Sequence, residues 1–568
     1  MKKLRGKKWL GWTTGIAIGL IISLGFVSAN NEERNFSIVK NLDIFYSLFR
    51  ELNTYYVDET DPEELIETAI EAMLESLDPY TTYISETEMD DFNFMTTGEY
   101  AGIGALITRL DDYVCISEPY KGFPADEAGL KAGDKILSID GVDMKGKSTE
   151  EVSNKLKGPA NTEVKVVVQR YGEEKPLEIS IIRENIQINP VPYYGLVENN
   201  TGIIVLNNFT HNCSREVEKA LNDLKKQGAE KIILDLRGNP GGLLDEAVKV
   251  ANLFVPRGSE IVSTKGKIKQ WDKVYSATKA PVDTLIPLSI MINRGSASAS
   301  EIVAGAIQDH DRGVIVGNRS FGKGLVQTTR NLPYDAKLKV TTAKYYIPSG
   351  RCIQALDYSH RNEDGSVGYV PDSLVSEFQT DNGRTVYDGG GISPDVLVPR
   401  DTLSNIAYAL MAQQTIFKYA NVFVPENVSV AKPETFVVSD DLYSDFTDFV
   451  TSLDDFKYTS ASRERFRKLV EAAKEEGYYD IHLNEFKALE EKLDVDVSFD
   501  LKTFRDEVDD LLGNELMKRY YYQEGAIKYA LKHDKVLKKA LEVLNDEAQY
   551  RGILSGTVLS HAGDRLHR

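Results

Sequence analysis

Apolar side chains recur at three- and four-residue intervals in two segments near the start of the chain, 36–55 and 62–77. This spacing puts them on one face of a helix, so it predicts two amphipathic helices. The second has a good start, because Pro62 falls in its first turn and two acidic residues follow. It is predicted to end just ahead of Pro79. Residues 31–95 are therefore predicted to form a helical segment.

The pattern then changes to short strands separated by glycines. Strands and helices are predicted in the order strand, strand, short helix, strand, helix, strand at 98–107, 114–117, 125–130, 133–141, 149–156 and 163–169. About ninety residues in this order, 96–186, resemble a PDZ domain. In that family a Gly-apolar-Gly loop, matched by Gly102, Ile103 and Gly104, points backbone N–H groups at the terminal carboxylate of a peptide. Glycines alone would equally suit a bulge or tight turn, but the phrase AGLKAGDKILSIDG (128–141) favours a PDZ domain.

The largest predicted unit, residues 187–400, alternates strands with helices. The predicted strands are 202–207, 231–237, 288–293 and 313–317, and the helices are 214–226, 244–255 and 300–309. Alternation at this spacing predicts a layered α/β domain. Glycine-rich corners, including 238–242, follow buried strands, which is where open α/β sheets place their sites.

Residues 401–568 show helical spacing at 404–419, 447–477 and 520–544. They are predicted to form an all-α appendage, and the sequence leaves open whether it serves oligomerisation, docking or substrate caging. The tyrosine run at 520–522 is interpreted as core packing. The fold class predicted for the whole chain is therefore multidomain α/β, with a β-rich PDZ domain, N-terminal helices and an α-helical C-terminal domain.

Length and charge narrow the possible functions. A chain of 568 residues exceeds one hydrophobic core and predicts three or four domains. The net charge of −20 argues against a nucleic-acid-binding protein, which needs a basic face. The three cysteines (Cys115, Cys213 and Cys352) lie far apart without metal-type spacing. Their odd number excludes a full disulfide framework, and we interpret them as free packing residues.

The N-terminus predicts export. A basic start is followed by an apolar or small stretch from Trp9 to Val27, ending at Ser28 and Ala29. This is the order of a secretory signal. The stretch is also nearly as long as the roughly 20 residues that span a bilayer. Residues 1–29 are therefore predicted to be a cleaved signal peptide or a retained anchor, placing the rest in the periplasm or cell envelope.

Ser298 and Lys323 are the candidate catalytic pair. A serine hydroxyl becomes a nucleophile when a base takes its proton, and an amine can serve as that base only when neutral. Burial away from carboxylates lowers a lysine pKa, because desolvation penalises the charged form. Lys323 is flanked by glycines and apolar residues, with no acid between Val314 and Arg330. The sequence around Lys323 therefore favours a lowered pKa, as a lysine general base requires.

Three other interpretations of these segments were weighed. The run 317–324 nearly matches a phosphate-binding loop, but Gly324 replaces the hydroxyl that would bind Mg²⁺. Ser320-x-x-Lys323 has the spacing of penicillin-interacting enzymes, whose companion motifs are absent from the sequence. Ser298 or Ser300 with Glu301 could form a helix capping box. That structural role is compatible with catalysis, because a helix N-terminus at Ser298 offers N–H groups to an oxyanion.

Several motifs in order resemble the carboxyl-terminal processing, or tail-specific, proteases. The resemblance runs from about Phe36 to Pro399. It is carried by the PDZ phrase and by five further motifs: LDPYTTY (77–83), LDLRGNPGG (234–242), NRGSASASEI (293–302), SFGKGLVQ (320–327) and LKVTTAKYYIPSGR (338–351). It implies a crotonase-like α/β peptidase core with a PDZ insertion that delivers or gates substrate tails.

The resemblance also implies residue roles. Ser298 corresponds to the nucleophile rather than Ser296 or Ser300, because the family places the base 25 residues further on. Lys323 corresponds to that base and Gln327 to the glutamine that orients it. The backbone N–H of Ala299, with one from Gly241 or Gly242, would form the oxyanion hole.

The implied function is an exported serine endopeptidase that cuts proteins near a free C-terminus held by the PDZ loop. It needs no metal or cofactor. A histidine triad is not expected, because nothing in the sequence orients His211 or His310. The alternative is a catalytically inactive PDZ scaffold, which need not retain Ser298, Lys323 and Gln327 together.

Overall fold

The computed structural model describes residues 34–362, 364–400, 402–493, 496–558 and 560–561. The chain packs as two units that divide between Tyr83 and Ile84. The predicted signal or anchor lies outside the described residues. Within the described ranges, none of the helices combines the length and the apolar character that crossing a membrane requires.

The first unit contains the two predicted helices, α1 (residues 34–55) and α2 (Pro62–Glu75). The carboxylate of Asp61 starts α2 by accepting hydrogen bonds from the N–H groups of Glu63 and Glu64, as an N-cap residue should. Much of the apolar face of α1 is exposed. A short strand, β1 (Thr82–Ile84), follows.

The PDZ region, residues 96–186, is a small sheet with two short helices. Its elements, with the helix that precedes it, are α3 (Met89–Thr97), β2 (Glu99–Gly102), β3 (Ala105–Leu110), β4 (Tyr113–Pro119), α4 (Pro124–Glu127), β5 (Lys135–Ile139), β6 (Val142–Asp143), α5 (Thr149–Leu156), β7 (Glu163–Gln169), β8 (Leu177–Ile182) and β9 (Glu184–Gln187). The sheet order is β3-β4-β5-β7-β8, and β2 pairs with β9. The sequence predicts the last strand of this domain at 163–169, but β8 follows and pairs with β7 along its whole length.

The largest domain is built on a mostly parallel sheet. Its first elements are β10 (Tyr193–Val197), β11 (Thr201–Val205), α6 (Cys213–Lys226), β12 (Lys231–Asp235), α7 (Leu244–Asn252), β13 (Glu260–Gly266), β14 (Lys273–Ser276), β15 (Leu288–Ile292), α8 (Ala299–Asp309) and β16 (Val314–Gly317). The sheet order is β10-β11-β12-β15-β16, with a later strand β23 (Val396–Leu397) at the edge. Only β10 runs antiparallel to its neighbour. Every residue of β15 is buried.

A second, antiparallel sheet stands beside the first and carries the other half of the site. It uses β17 (Leu325–Asn331) and β18 (Lys337–Tyr346), which pair with each other, while β13 joins β18 to β14. Short strands follow as the pairs β19 (Leu356–Arg361) with β20 (Val367–Tyr369) and β21 (Glu377–Gln379) with β22 (Thr385–Tyr387).

The C-terminal residues are helical, as predicted, but divided differently. The helices are α9 (Asn405–Ala412), α10 (Thr415–Glu426), α11 (Asp440–Thr451), α12 (Ala461–Glu475), α13 (Leu483–Leu493), α14 (Val497–Thr503), α15 (Arg505–His533), α16 (Lys535–Asn545) and α17 (Glu547–Leu554). Each of the three predicted helices is really two. The chain turns at Gln414, whose φ is 53°, runs without helix over 452–460, and turns again at Asp534, which caps α16.

The last two helices belong to the layered core rather than to a detached appendage. Leu537 and Leu544 of α16 and Ile553 of α17 share a buried cluster with Ile233 and Met291 of the parallel sheet. They cover one face of that sheet, while α6, α7 and α8 cover the other. A parallel sheet needs both faces covered, so this packing supplies its second layer.

The three cysteines are free, as predicted. Cys115 and Cys213 are buried and Cys352 is half-buried.

Candidate active site

Ser298 sits at the junction between the parallel sheet and helix α8. The chain leaves β15 at Ile292, turns through small residues and enters α8 at Ala299. Ser298 itself has φ 54° and ψ −111°, a conformation that costs a non-glycine residue of order 1–3 kcal/mol. Such strain persists only where the surroundings hold the residue in place. It presents the serine at the N-terminal end of an eleven-residue helix.

The neighbouring serines have structural roles. The hydroxyl of Ser296 donates to the carbonyl of Leu236 at 2.8 Å, and that of Ser300 donates to the carbonyl of Asn239 at 2.9 Å. Both side chains are fully buried. Ser298 is half-buried and lines a large cavity, with Lys323 in the same wall. Of the three, Ser298 is therefore the serine that a substrate can reach.

Glu301 holds the segments of Ser298 and Lys323 together. One of its carboxylate oxygens, Oε2, accepts the backbone N–H of Ser298 at 2.8 Å and that of Lys323 at 2.9 Å. The other, Oε1, accepts the hydroxyl of Ser320 at 2.5 Å and the N–H of Gly322 at 2.7 Å. The capping contact suggested by the sequence is present in its Glu301 half. The same carboxylate also binds the lysine loop, which the sequence motif alone did not reveal.

The pKa of Glu301 reflects two opposing effects. Its side chain is completely buried, and burial raises the pKa to about 7, although the four hydrogen-bond donors act in the opposite direction. Because all four partners donate, they favour the ionised carboxylate, which is an acceptor only.

Tyr345 of β18 makes a second bridge. Its hydroxyl contacts the carbonyl oxygen of Ser298 at 3.2 Å and also the carbonyl oxygen of Lys323. The ring is almost fully buried. Ser298 and Lys323 are thus tied at their N–H groups by Glu301 and at their carbonyls by Tyr345. Tyr345 belongs to the motif LKVTTAKYYIPSGR, whose pattern does not predict this role.

The cavity in front of this pair has a volume of about 770 Å³. Its walls come from α3, from β3 and β4 of the PDZ region, from the glycine corner after β12, from β17 and β18, and from α15. Many of the side chains are apolar: Phe92, Phe94, Met95, Leu106, Ile302, Leu325 and Val326. A cavity of this size and character suits a peptide segment.

Two backbone N–H groups are candidates for an oxyanion hole. The N–H of Gly241 donates to the side chain of Asn239 at 2.9 Å. Of the two glycines expected to contribute, Gly242 is therefore the better placed, because the described residues offer its N–H no acceptor. Ala299 begins α8 and lies beside the same corner. Both N–H groups border the cavity that holds Ser298.

Gly241 packs too closely against the nucleophile segment to carry a side chain. A Cβ there would lie 2.7 Å from the carbonyl oxygen of Ala297 and 2.8 Å from Cβ of Ser298, and its φ is 103°. We expect Gly241→Ala to reduce kcat at least about tenfold, because the corner and Ser298 must move apart. Gly238→Ala is the matched control, since nothing lies within 4 Å of a Cβ at that position. Equal kcat values for the two variants, measured on one unstructured peptide, would contradict this packing argument.

Gln327 lies on β17 and lines the cavity, but its amide group points along the sheet. Its Nε2 donates to the carbonyl of Leu325 at 3.3 Å and to the hydroxyl of Thr341 at 3.2 Å. Within the described chain, neither of these contacts is to Lys323.

The predicted PDZ loop is closed in this structure. Gly102, Ile103 and Gly104 are buried, with Ile103 only 3% exposed. Burial raises the pKa of Tyr100, and hydrogen bonds from the backbone of Gly104 and Ala105 partly offset this rise. The Tyr100 hydroxyl therefore lies close to the backbone of this loop. A peptide carboxylate that used these donors would have to displace the Tyr100 hydroxyl.

His310 has orienting partners, contrary to the expectation from the sequence. Its Nδ1 lies 2.8 Å from Asp381 and its Nε2 lies 2.7 Å from the carbonyl of Glu260. It follows α8 at the end opposite to Ser298, about 16 Å along the helix axis. His310 is therefore a structural residue.

The C-terminal helices hold the PDZ region through α15. Arg519 donates to the carbonyl of Ala132 in the PDZ region at 2.8 Å and to Asn421 of α10 at 2.9 Å. The hydroxyl of Tyr522 donates to Asp126 at 2.7 Å, from a kink in α15 where Tyr522 has φ 58°. Tyr522 thus contributes to a contact between domains rather than to core packing alone.

Comparisons with known proteins agree across the whole domain order. Residues 200–359 match peptidase family S41, and residues 115–170 match a PDZ domain. Residues 25–88 match the N-terminal domain of the activating protease CtpB, and residues 406–544 match the C-terminal helical domain of a probable PDZ-protease.

Individual proteins are also similar to this chain. A carboxy-terminal-processing protease of Bartonella bacilliformis is 38% identical over 367 residues, which cover 64% of this chain and 80% of that protein. A probable CtpA-like serine protease of Staphylococcus aureus is 35% identical over 360 residues, which cover 62% of this chain and 72% of that protein. A solved structure, of a photosystem II D1 C-terminal processing protease, is 30% identical and aligns with 63% of this chain and 93% of that one, at a TM-score of 0.34.

Proposed function

The chain belongs to peptidase family S41, and from this premise we propose that it cleaves proteins near their C-termini with Ser298 as nucleophile and Lys323 as general base. The observation that carries the proposal is the shared carboxylate oxygen of Glu301, which accepts the N–H groups of both residues. It fixes the two backbones side by side at one cavity. Relatives that are named as proteases favour this function over an inactive PDZ scaffold.

The proposed reaction has two halves. Neutral Lys323 accepts the proton of Ser298 as its oxygen attacks the peptide carbonyl, and the resulting ammonium protonates the leaving amine. Water then attacks the acyl-enzyme with the same lysine as base. The N–H groups of Ala299 and Gly242 stabilise the negative oxygen in both halves, where such donors are each worth about 3 kcal/mol. We assign to Gln327 the role of orienting Lys323. In this role the amide group of Gln327 must rotate away from Thr341.

Substrate selection is assigned to the PDZ region. Its relatives bind terminal carboxylates through a loop like Gly102–Gly104, next to a free sheet edge. Here β3 is the edge strand of its sheet, and Leu106 of β3 lines the catalytic cavity. A tail added to β3 would therefore lead toward Ser298. The basic and apolar N-terminal sequence supports export to the periplasm or cell envelope, where exposed protein tails are the substrates.

Mass spectrometry of the products from two peptides tests this function. The peptides share one unstructured sequence and differ only in a free or an amidated C-terminus. We expect cleavage near the C-terminus in both, with KM about tenfold lower for the free carboxylate, because charge-assisted hydrogen bonds to the loop are lost on amidation.

Gly104→Ala provides the control for the loop. A Cβ there would lie 2.6 Å from Cβ of Phe123, at φ 73°, so the loop should be distorted while Ser298 is untouched. This variant should process the two peptides equally. Equal KM values already in the unaltered protein would remove the tail-recognition half of the proposal, and absence of cleavage would remove the peptidase itself.

A further inference from the structure

The catalytic cavity contains a second lysine that the proposed reaction does not use. Lys339 lies on β18 opposite Thr329 of β17, and both residues line the cavity. The next pair along the same face is Thr341 opposite Gln327. Residues two apart on a strand are about 7 Å apart, so Lys339 stands one such step beyond the pair that includes Gln327.

Among the described side chains, no carboxylate contributes to the electrostatics of Lys339. Its side chain is half-buried, and burial lowers its pKa with no charged group contributing to the shift. A cation in such a place is costly unless an opposite charge arrives. Its neighbour Lys337, by contrast, stacks on the ring of Phe92.

The rest of the cavity wall carries few charged side chains. The charged side chains in its wall, among the described residues, are Glu118, Lys323 and Lys339. Burial raises the pKa of Glu118, although Lys518 acts against this rise. Because Lys323 is neutral in the proposed reaction, Lys339 is the cation that this part of the wall offers to a substrate. Apolar walls around it strengthen any ion pair that forms.

We propose that Lys339 is a specificity-determining residue that binds a carboxylate of the substrate a few residues from the scissile bond. The inference rests on the proposed peptidase function and extends it to the substrate sequence. The carboxylate is either an acidic side chain or the chain terminus, since both present the same group. An extended peptide across Ser298 runs along the face shared by Gln327 and Thr341, which brings its next residues to Lys339.

A set of three peptides tests the inference. The parent carries one glutamate and a free C-terminus, the second replaces that glutamate with glutamine, and the third is amidated. The set is then repeated with the glutamate moved to each successive position around the cleavage site. For each protein variant we compare kcat/KM of the parent with that of each neutral analogue. This ratio is internal to one preparation, so partial misfolding of a variant does not affect it.

Lys339→Met, which keeps the length and loses the charge, should lower one of the two ratios roughly tenfold to a hundredfold. The effect should appear mainly in KM. Lys339→Arg should restore the ratio, and Lys339→Glu should invert it. Lys344→Met is the matched control, because Lys344 lies exposed on the same strand, and it should keep the original ratios.

Each outcome decides the question. A fall in the glutamine ratio identifies an acidic side chain as the ligand, and a fall in the amide ratio identifies the terminus. If neither ratio changes in Lys339→Met at any glutamate position, the inference is overturned while the peptidase function stands. If the unaltered protein cleaves none of the peptides, the proposed function fails and this inference fails with it.

Discussion

Ser298→Ala is expected to reduce peptide hydrolysis by roughly 10⁴- to 10⁶-fold, because the acyl-enzyme can no longer form. Lys323→Met should have an effect of similar size, since it removes the base and keeps the volume of the side chain. Residues that act as one unit are not additive, so the double variant should be no less active than either single one. The measurement is the steady-state rate on an unstructured peptide.

Two control variants make this result specific. Ser300→Ala removes a neighbouring hydroxyl that donates to the carbonyl of Asn239, and it should retain measurable turnover. Lys267→Ala changes an exposed lysine of the same domain. This variant should behave like the unaltered protein. Circular dichroism should show all four single variants folded. Near-normal turnover by Ser298→Ala or Lys323→Met would exclude the Ser-Lys mechanism.

Glu301→Ala is expected to reduce both stability and activity. It leaves three backbone N–H groups and the hydroxyl of Ser320 without their acceptor inside the core, and each buried donor left unsatisfied costs about 1–3 kcal/mol. A loss of several kcal/mol in the free energy of unfolding should follow, measured by chemical denaturation. Turnover should also fall, because Ser298 and Lys323 lose their common anchor. Glu218→Ala, on the exposed face of α6, is the control and should change neither quantity.

Glu301→Gln separates charge from shape. The pKa of Glu301 in the folded chain is about 7, above its usual 4.5, so the folded state holds this proton more tightly than the unfolded state. The stabilisation from that proton is complete below pH 4.5 and is lost as the pH rises through 7. The glutamine variant should lack this pH dependence between pH 5 and pH 8. It should also lose turnover, because its NH₂ group faces two backbone N–H donors. An unaltered pH dependence of stability together with normal kcat would contradict the role of Glu301.

Local signals predicted much of the fold. Helix α5 has the predicted bounds, because Ser148 and Glu151 form a capping box at its start. The break at Asp534 has a similar local cause. The Asp534 side chain caps α16 by accepting hydrogen bonds from two backbone N–H groups. The turn at Gln414 has no such signal, because glutamine is not a residue that favours a positive φ.

Long-range packing accounts for what the sequence did not predict. Strand β15, apolar except for Ser289, is buried along its whole length, and the layer on its second face comes from helices more than 240 residues later in the chain. The candidate site likewise combines segments that the sequence makes recognisable with contacts that only the packed fold creates. The segments around Ser298 and Lys323 were recognisable, whereas the bridge through Tyr345 depends on how β18 packs against them.

The placement of the last helices has a consequence for truncation experiments. A chain cut near residue 400 would lose α16 and α17, exposing Ile233 and Met291 to water, and would also lose the contacts of Arg519 and Tyr522 with the PDZ region. Such a fragment would be prone to aggregate whatever the helices do for substrates. Inactivity of the shortened protein would therefore report a collapsed scaffold, and the contribution of these helices is accessible only through point substitutions on their outward faces.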